Sequence, residues 1–244
     1  MVKKGARLRF LQVVFLIVGV YIYQEFINDI GWKIALLFDY SRVDTDGTFM
    51  MVSVHHIVMA LITLGILYIL HRWKNIDFKI NFKADAYGTK FTFIYCIACL
   101  VYYFFWYVIF GFLLDSIAEY NYEITTTNVL GTLGFQLFLS ATEELIFRAL
   151  PIGCYKAAWG KNSKLADTAI LLLTSLLFMY VHIYSGKPLL SQLYSLILVF
   201  IHGLMFGTVY LKSKSVVYPM IMHGVSNFIS VALCYVYMIL SHYI

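Results

Sequence analysis

Seven separate runs of apolar residues decide what this chain can fold into. They span about Phe10–Ile27, Met51–Leu70, Phe91–Leu114, Val129–Leu150 (with an extension to about Trp159), Asp167–Tyr184, Leu190–Leu211 and Val216–Tyr243. Each is near or above the ~20 residues a helix needs to cross the hydrocarbon core of a bilayer. In lipid every backbone N–H and C=O has to be satisfied inside the segment, so runs of this kind are helices. The expected fold is therefore all-α, a polytopic transmembrane bundle of about seven helices. Composition agrees: 61% of residues are hydrophobic, 13% are charged and the mean hydropathy is +0.80, a balance no soluble domain of this size carries. The 244 residues suit one membrane domain. No internal repeat, low-complexity tract or linker divides it. The first run is expected to be a retained helix, because it closes on Gln24-Glu25-Phe26 and not on a small-residue cleavage site.

Charge sets the expected orientation. Numbered alternately from the N-terminus, one set of connections holds fourteen of the eighteen Lys and Arg residues, among them Lys3, Lys4, Arg72, Lys79, Lys156 and Lys212. The opposite set holds only Lys33, Arg42 and Lys187. The positive-inside rule places the N-terminus in the cytoplasm and the C-terminus outside. The net charge of +5 thus reads as topology, and no nucleic-acid partner is expected. The acidic Asp115–Asn128 loop falls outside, as does the long Asp29–Met50 loop, whose role the sequence does not give. Cys96, Cys99, Cys154 and Cys234 lie in apolar surroundings and read as small buried hydrophobes.

Two carboxylates break the apolar pattern. Of thirteen acidic residues only Glu143 and Glu144 fall well inside a run, with Arg148 in the same run. An ionisable side chain at mid-bilayer costs ~3 kcal/mol on insertion scales and usually marks function. Glu144 and Arg148 stand i, i+4, on one helix face, and can pair. Glu143 is turned about 100° away, which leaves one carboxylate free for chemistry. Later runs supply His182, in Phe178-Met-Tyr-Val-His182, and His223 with Asn227, again i, i+4. Two histidines and a carboxylate on three helices match the ligands of a catalytic zinc with an open position, so Glu143, His182 and His223 are candidate metal ligands. The same residues also serve without metal, with Glu143 as general base, a histidine assisting and Asn227 donating to an oxyanion. His202 and the His55-His56 pair are expected to be interhelical hydrogen-bonders. Pro151 can end the fourth helix early, and His223 lies only seven residues beyond Val216, so its helix has to start deep or tilt to reach Glu143.

Taken in order, Glu143-Glu144-x-x-x-Arg148, Phe178-x-x-x-His182 and His223-x-x-x-Asn227 resemble the three motifs of the CAAX-protease and bacteriocin-processing (CPBP, Abi) family of intramembrane proteases. The stretch Gly203–Tyr210 followed by Tyr218-Pro219 is similar to that family's approach to its third motif. The resemblance covers about Val129 to Ile229, so the chain divides into residues 1–128, without diagnostic motifs, and a catalytic helical core at 129–244. It implies that Glu143 is the essential carboxylate, that His182 helps it activate water, that His223 and Asn227 stabilise the oxyanion, and that Glu144 and Arg148 support the site. It also implies a (metallo)protease, with zinc as the cofactor to test. The expected substrate is a peptide or membrane-protein terminus, either a secreted or signalling peptide or a CAAX-like one, and the setting a bacterial cell membrane. Ala149 stands where family members often have glycine. Two other classes are weighed beside it: a non-catalytic immunity or regulatory partner in the membrane, and a proton-coupled transporter, which the absence of an inverted repeat disfavours.

Overall fold

The computed structural model describes residues 2–113, 123–159, 164–184, 186 and 188–241. His242, Lys161, Lys187 and residues 114–122 of the acidic loop lie outside the described residues. Among the described residues there is no strand, and seven helical rods follow one another. They are α1 (Val2–Ala35), α2 (Met50–Lys74), α3 (Ala86–Leu113), α4 (Thr126–Trp159), α5 (Lys164–Tyr180), α6 (Leu189–Ser213) and α7 (Val217–Ser241). All but α5 are long and apolar enough to cross a membrane. At 17 residues α5 spans about 25 Å, short of the hydrocarbon core.

Three boundaries differ from expectation. The first helix runs on to Ala35, carried by an Lys33–Asp29 pair at 2.6 Å and by Trp32 stacked on the His55 ring. The fifth stops at Tyr180, so His182 sits in the turn beyond it. There the ladder tightens, with His182 N–H bonding Met179 O at 3.1 Å, and the Gln192 side chain bonds both the N–H and the C=O of Tyr184. Asp167 is not an N-cap, because α5 begins at Lys164; it pairs with Lys156 at 2.6 Å instead.

The helix α4 occupies the centre and touches α1, α2, α5, α6 and α7, while α1 packs on α2, α3 on α7 and α5 on α6. It is not a regular rod. Ser140 and Thr142 hydroxyls donate to the carbonyls of Leu137 and Leu139, each at 2.7 Å, which diverts acceptors from the α ladder. The backbone tightens to a 3₁₀ turn at Ala141–Glu143 and widens to a π turn at Leu145–Ala149. Another π turn lies at Thr132–Gln136. Pro151 therefore does not end the helix. A proline removes one i→i−4 bond and crowds that carbonyl, and the wide turn just before it relieves both. The following Leu150–Trp159 segment is α-helical.

The turn joining α6 to α7 is buried at Ser213, Ser215 and Val216. It is tied to the α2–α3 connection by Val216 N–H to Lys79 O (3.0 Å), Ser215 Oγ–H to Asn81 O (2.7 Å) and Asn81 Nδ2–H to Lys214 O (3.0 Å). The outer faces of the rods carry exposed large apolar side chains such as Phe15, Phe93 and Leu193, as lipid-facing helices do. All four cysteines are free and buried or half-buried.

Candidate active site

The two adjacent glutamates part company as their angular separation requires. Glu144 is fully buried, with Arg148 Nε 3.3 Å from its Oε2 and His223 Nδ1 3.0 Å from its Oε1. The Arg148 contact is an ion pair without hydrogen-bond alignment, and the guanidinium also donates from Nη1 to Phe147 O at 3.1 Å. It lies 4.9 Å from the centre of the Phe178 ring, a cation–π contact of about 2 kcal/mol in a desolvated site. Phe178 is buried and abuts three of the motif side chains. It has His182 edge-on at 4.7 Å and His223 edge-on at 5.7 Å, besides Arg148.

His182 donates from Nδ1 to Phe178 O at 2.7 Å, one helical turn back. That bond fixes the ring and leaves the Nε2 lone pair available. His223 donates from Nδ1 to Glu144, so its Nε2 also faces away from the carboxylate. Asn227, one turn further along α7, donates from Nδ2 to Ser140 Oγ at 3.0 Å and keeps a second amide hydrogen. The close approach of α7 to α4 here depends on Gly224. A Cβ at that position would stand 2.9 Å from Phe138 Cδ1.

Glu143 is the accessible member of the pair, with 20% of its side chain exposed against none for Glu144. It is not free, however. Its Oε1 lies 3.2 Å from Nε2 of His56, on α2. His56 Nδ1 lies 2.8 Å from Val52 O, a carbonyl that only accepts, so the ring donates there. Its Nε2 and the carboxylate oxygen must then share one hydrogen. Sequence reasoning missed this residue, since nothing in the local spacing of His55-His56 points to a carboxylate 87 positions on. The only available signal was a pair of histidines inside an apolar span. His202, expected to be an interhelical hydrogen-bonder, packs against the rings of Tyr95 and Phe206.

The donor set expected for zinc is not assembled. Glu143 turns to His56 and His223 to Glu144, and no three His, Cys, Asp or Glu side chains among the described residues converge as a metal-holding group.

The three motifs thus lie against one another across α4, α5 and α7, in the order the resemblance requires. Residues 124–229 match the family model for the Rce1-like Type II CAAX prenyl endopeptidases. That segment of the chain matches the CAAX-protease (CPBP, Abi) family. No curated protein and no solved structure matches it. Six helices long and apolar enough to span a bilayer, together with this segment's match to a membrane protease family, support an integral membrane protein. The match begins two residues before α4 and ends within α7, so the helix that carries His56 lies outside the Rce1-like segment.

Proposed function

We propose that this protein is an intramembrane endopeptidase that hydrolyses a peptide or protein terminus with water activated by Glu143. The single observation that carries the reading is the division of labour between the glutamates: Glu144 is sealed between Arg148 and His223, and Glu143 is the one left partly exposed. A water held between Glu143 and the His182 Nε2 lone pair attacks the scissile carbonyl and gives its proton to Glu143. The oxyanion accepts from the second Asn227 Nδ2–H and, when His223 carries both protons, from its Nε2–H, with Glu144 placed to balance that charge. Glu143 then returns the proton to the leaving amine as the C–N bond breaks. Glu144 and Arg148 hold His223 and the Phe178 wall in place. The donors as arranged do not fit a metal, and each of these steps is carried by the side chains named.

The substrate class we propose is a CAAX-like C-terminus or a secreted or signalling peptide, entering from the cytoplasmic side or laterally from lipid. The proposed setting is a bacterial cell membrane with the N-terminus inside. The test compares peptide termini in secreted and membrane fractions of cells carrying the wild type or Glu143→Gln at equal expression. A terminus that disappears while its precursor accumulates supports the protease and supplies the substrate. Matching profiles, with deletion still giving a phenotype, transfer the function to a non-catalytic membrane partner.

A further inference from the structure

We infer that His56, on α2 and outside the Rce1-like segment, is a positioning residue for Glu143 that fixes which carboxylate oxygen meets the attacking water. The inference rests on the reading of Glu143 as general base. A carboxylate on a flexible side chain presents two equivalent oxygens, and a base has to present one of them in a defined direction. His56 Nε2 occupies Oε1 at 3.2 Å, which leaves Oε2 for water.

The ring that does this is itself held on every side. Its Nδ1 bonds Val52 O at 2.8 Å, one turn back on the same helix. The His55 ring meets it edge-on at 5.0 Å and 80°. His55 in turn is clamped by α1, with Nε2 3.0 Å from Asn28 Oδ1 and Trp32 stacked on its face at 4.2 Å. At Gly31 α1 comes so close that a Cβ would stand 2.7 Å from His55 Cδ2. From Asn28 and Trp32 through His55 to His56, α1 and α2 form a buttress that ends on the partly exposed glutamate. That gives the N-terminal helices, which carry no family motif, a part in the site. Misplacing a catalytic group by about 1 Å can cost about 10²-fold in rate.

The test uses the full-length protein in lipid nanodiscs and the substrate found by the terminus comparison. His56→Ala is expected to lower kcat by up to about 10²-fold while KM and the thermal unfolding midpoint stay near wild type. His56→Gln, whose amide N–H reaches the place of Nε2, is expected to recover part of kcat. A readout independent of turnover is labelling of Glu143 by a hydrophobic carbodiimide, quantified by mass spectrometry; it should rise severalfold in His56→Ala and less in His56→Gln. Wild-type kcat in His56→Ala, or a loss in KM alone, overturns the inference. So does equal labelling of all three proteins, whatever the activity. A wild-type protein that cleaves nothing overturns the protease reading instead, and is distinguished because the labelling difference persists.

Discussion

His223 Nδ1 stands 3.0 Å from Glu144 Oε1, so two residues 79 positions apart share a contact in the core of the bundle. Arg148 closes the other side of the same carboxylate at 3.3 Å, and all three are buried. Deleting one partner of such a group strands a charge. Arg148→Met or Glu144→Gln alone is expected to cost about 3–5 kcal/mol of stability. The double variant should cost much less than the sum, because neither charge is left alone. Thermal unfolding of the four proteins in one detergent measures this; additive losses would show that the pair does not act as a unit.

Asn227 and Ser140 make a second coupled pair. Ser140 Oγ accepts from Asn227 Nδ2 and donates to Leu137 O, so it fixes the amide without touching substrate. Asn227→Ala removes the proposed oxyanion donor and should lower kcat about 10²- to 10³-fold. Ser140→Ala only loosens the amide and should lower kcat by no more than about tenfold, as misplacement of a positioned group does. In both, KM should hold. A Ser140→Ala effect as large as that of Asn227→Ala would argue that the hydroxyl itself meets the reacting atoms.

How much of this was legible in the chain follows from the distance over which each signal acts. Glu144 with Arg148, Phe178 with His182, and His223 with Asn227 are each one helical turn apart, so helical periodicity alone displays them. Their order also carries the family. The helix count was legible because a bilayer needs long apolar runs, yet the end of α5 was not. Beyond Tyr180 the chain is held by Gln192, which bonds Tyr184 eight residues before it, and periodicity holds no record of that. The His56–Glu143 contact and the buried start of α7 are products of tertiary packing, and no local pattern encodes them. Glu143 was expected to be free for the same reason.

Gly224 offers a test of packing at the site. A methyl group there would stand 2.9 Å from Phe138 Cδ1 and 3.6 Å from Phe138 Cα, so the ring must move. Gly224→Ala is expected to destabilise by about 1–3 kcal/mol and to reduce cleavage, since His223 is the next residue. Phe138→Leu in the same chain should restore both in part. If Phe138→Leu brings no recovery, the obstruction lies with the α7 backbone.

The loop before α2 carries a pH-sensitive cap. Asp44 accepts the amide N–H groups of Thr48 (2.7 Å), Phe49 (2.8 Å) and Met50 (2.6 Å). Burial works to raise its carboxyl, but these amide bonds outweigh it and hold the group below the usual carboxylate range. A depressed folded-state value means the stabilisation is complete above the unfolded value of about 4 and is lost as pH falls through the lower, folded one. Asp44→Ala should therefore cost about 1–2 kcal/mol near pH 6. The gap between the two proteins should close as pH falls below about 4. Unfolding midpoints between pH 3 and pH 6 measure it, and a gap that stays constant would assign the cost to packing rather than to the charge. The same knot reaches α4, because Thr48 Oγ1–H donates to Asn128 Oδ1 at 3.3 Å, and Asn128 Nδ2 donates to Asp46 at 2.7 Å.

The π turns of α4 bear on how its length can vary. A π turn holds one residue more than the α-helical turn it replaces. Losing a residue from within Thr132–Gln136 would let that turn relax to α while the flanking segments keep their faces; losing one from Leu145–Ala149 would instead change the spacing of Glu144 and Arg148. Losing a residue from the regular part between Leu137 and Ser140 would swing everything beyond it by about 100° and point Glu143 away from both His56 and the substrate. Shortening is thus absorbed at Thr132–Gln136, and at the site it is not.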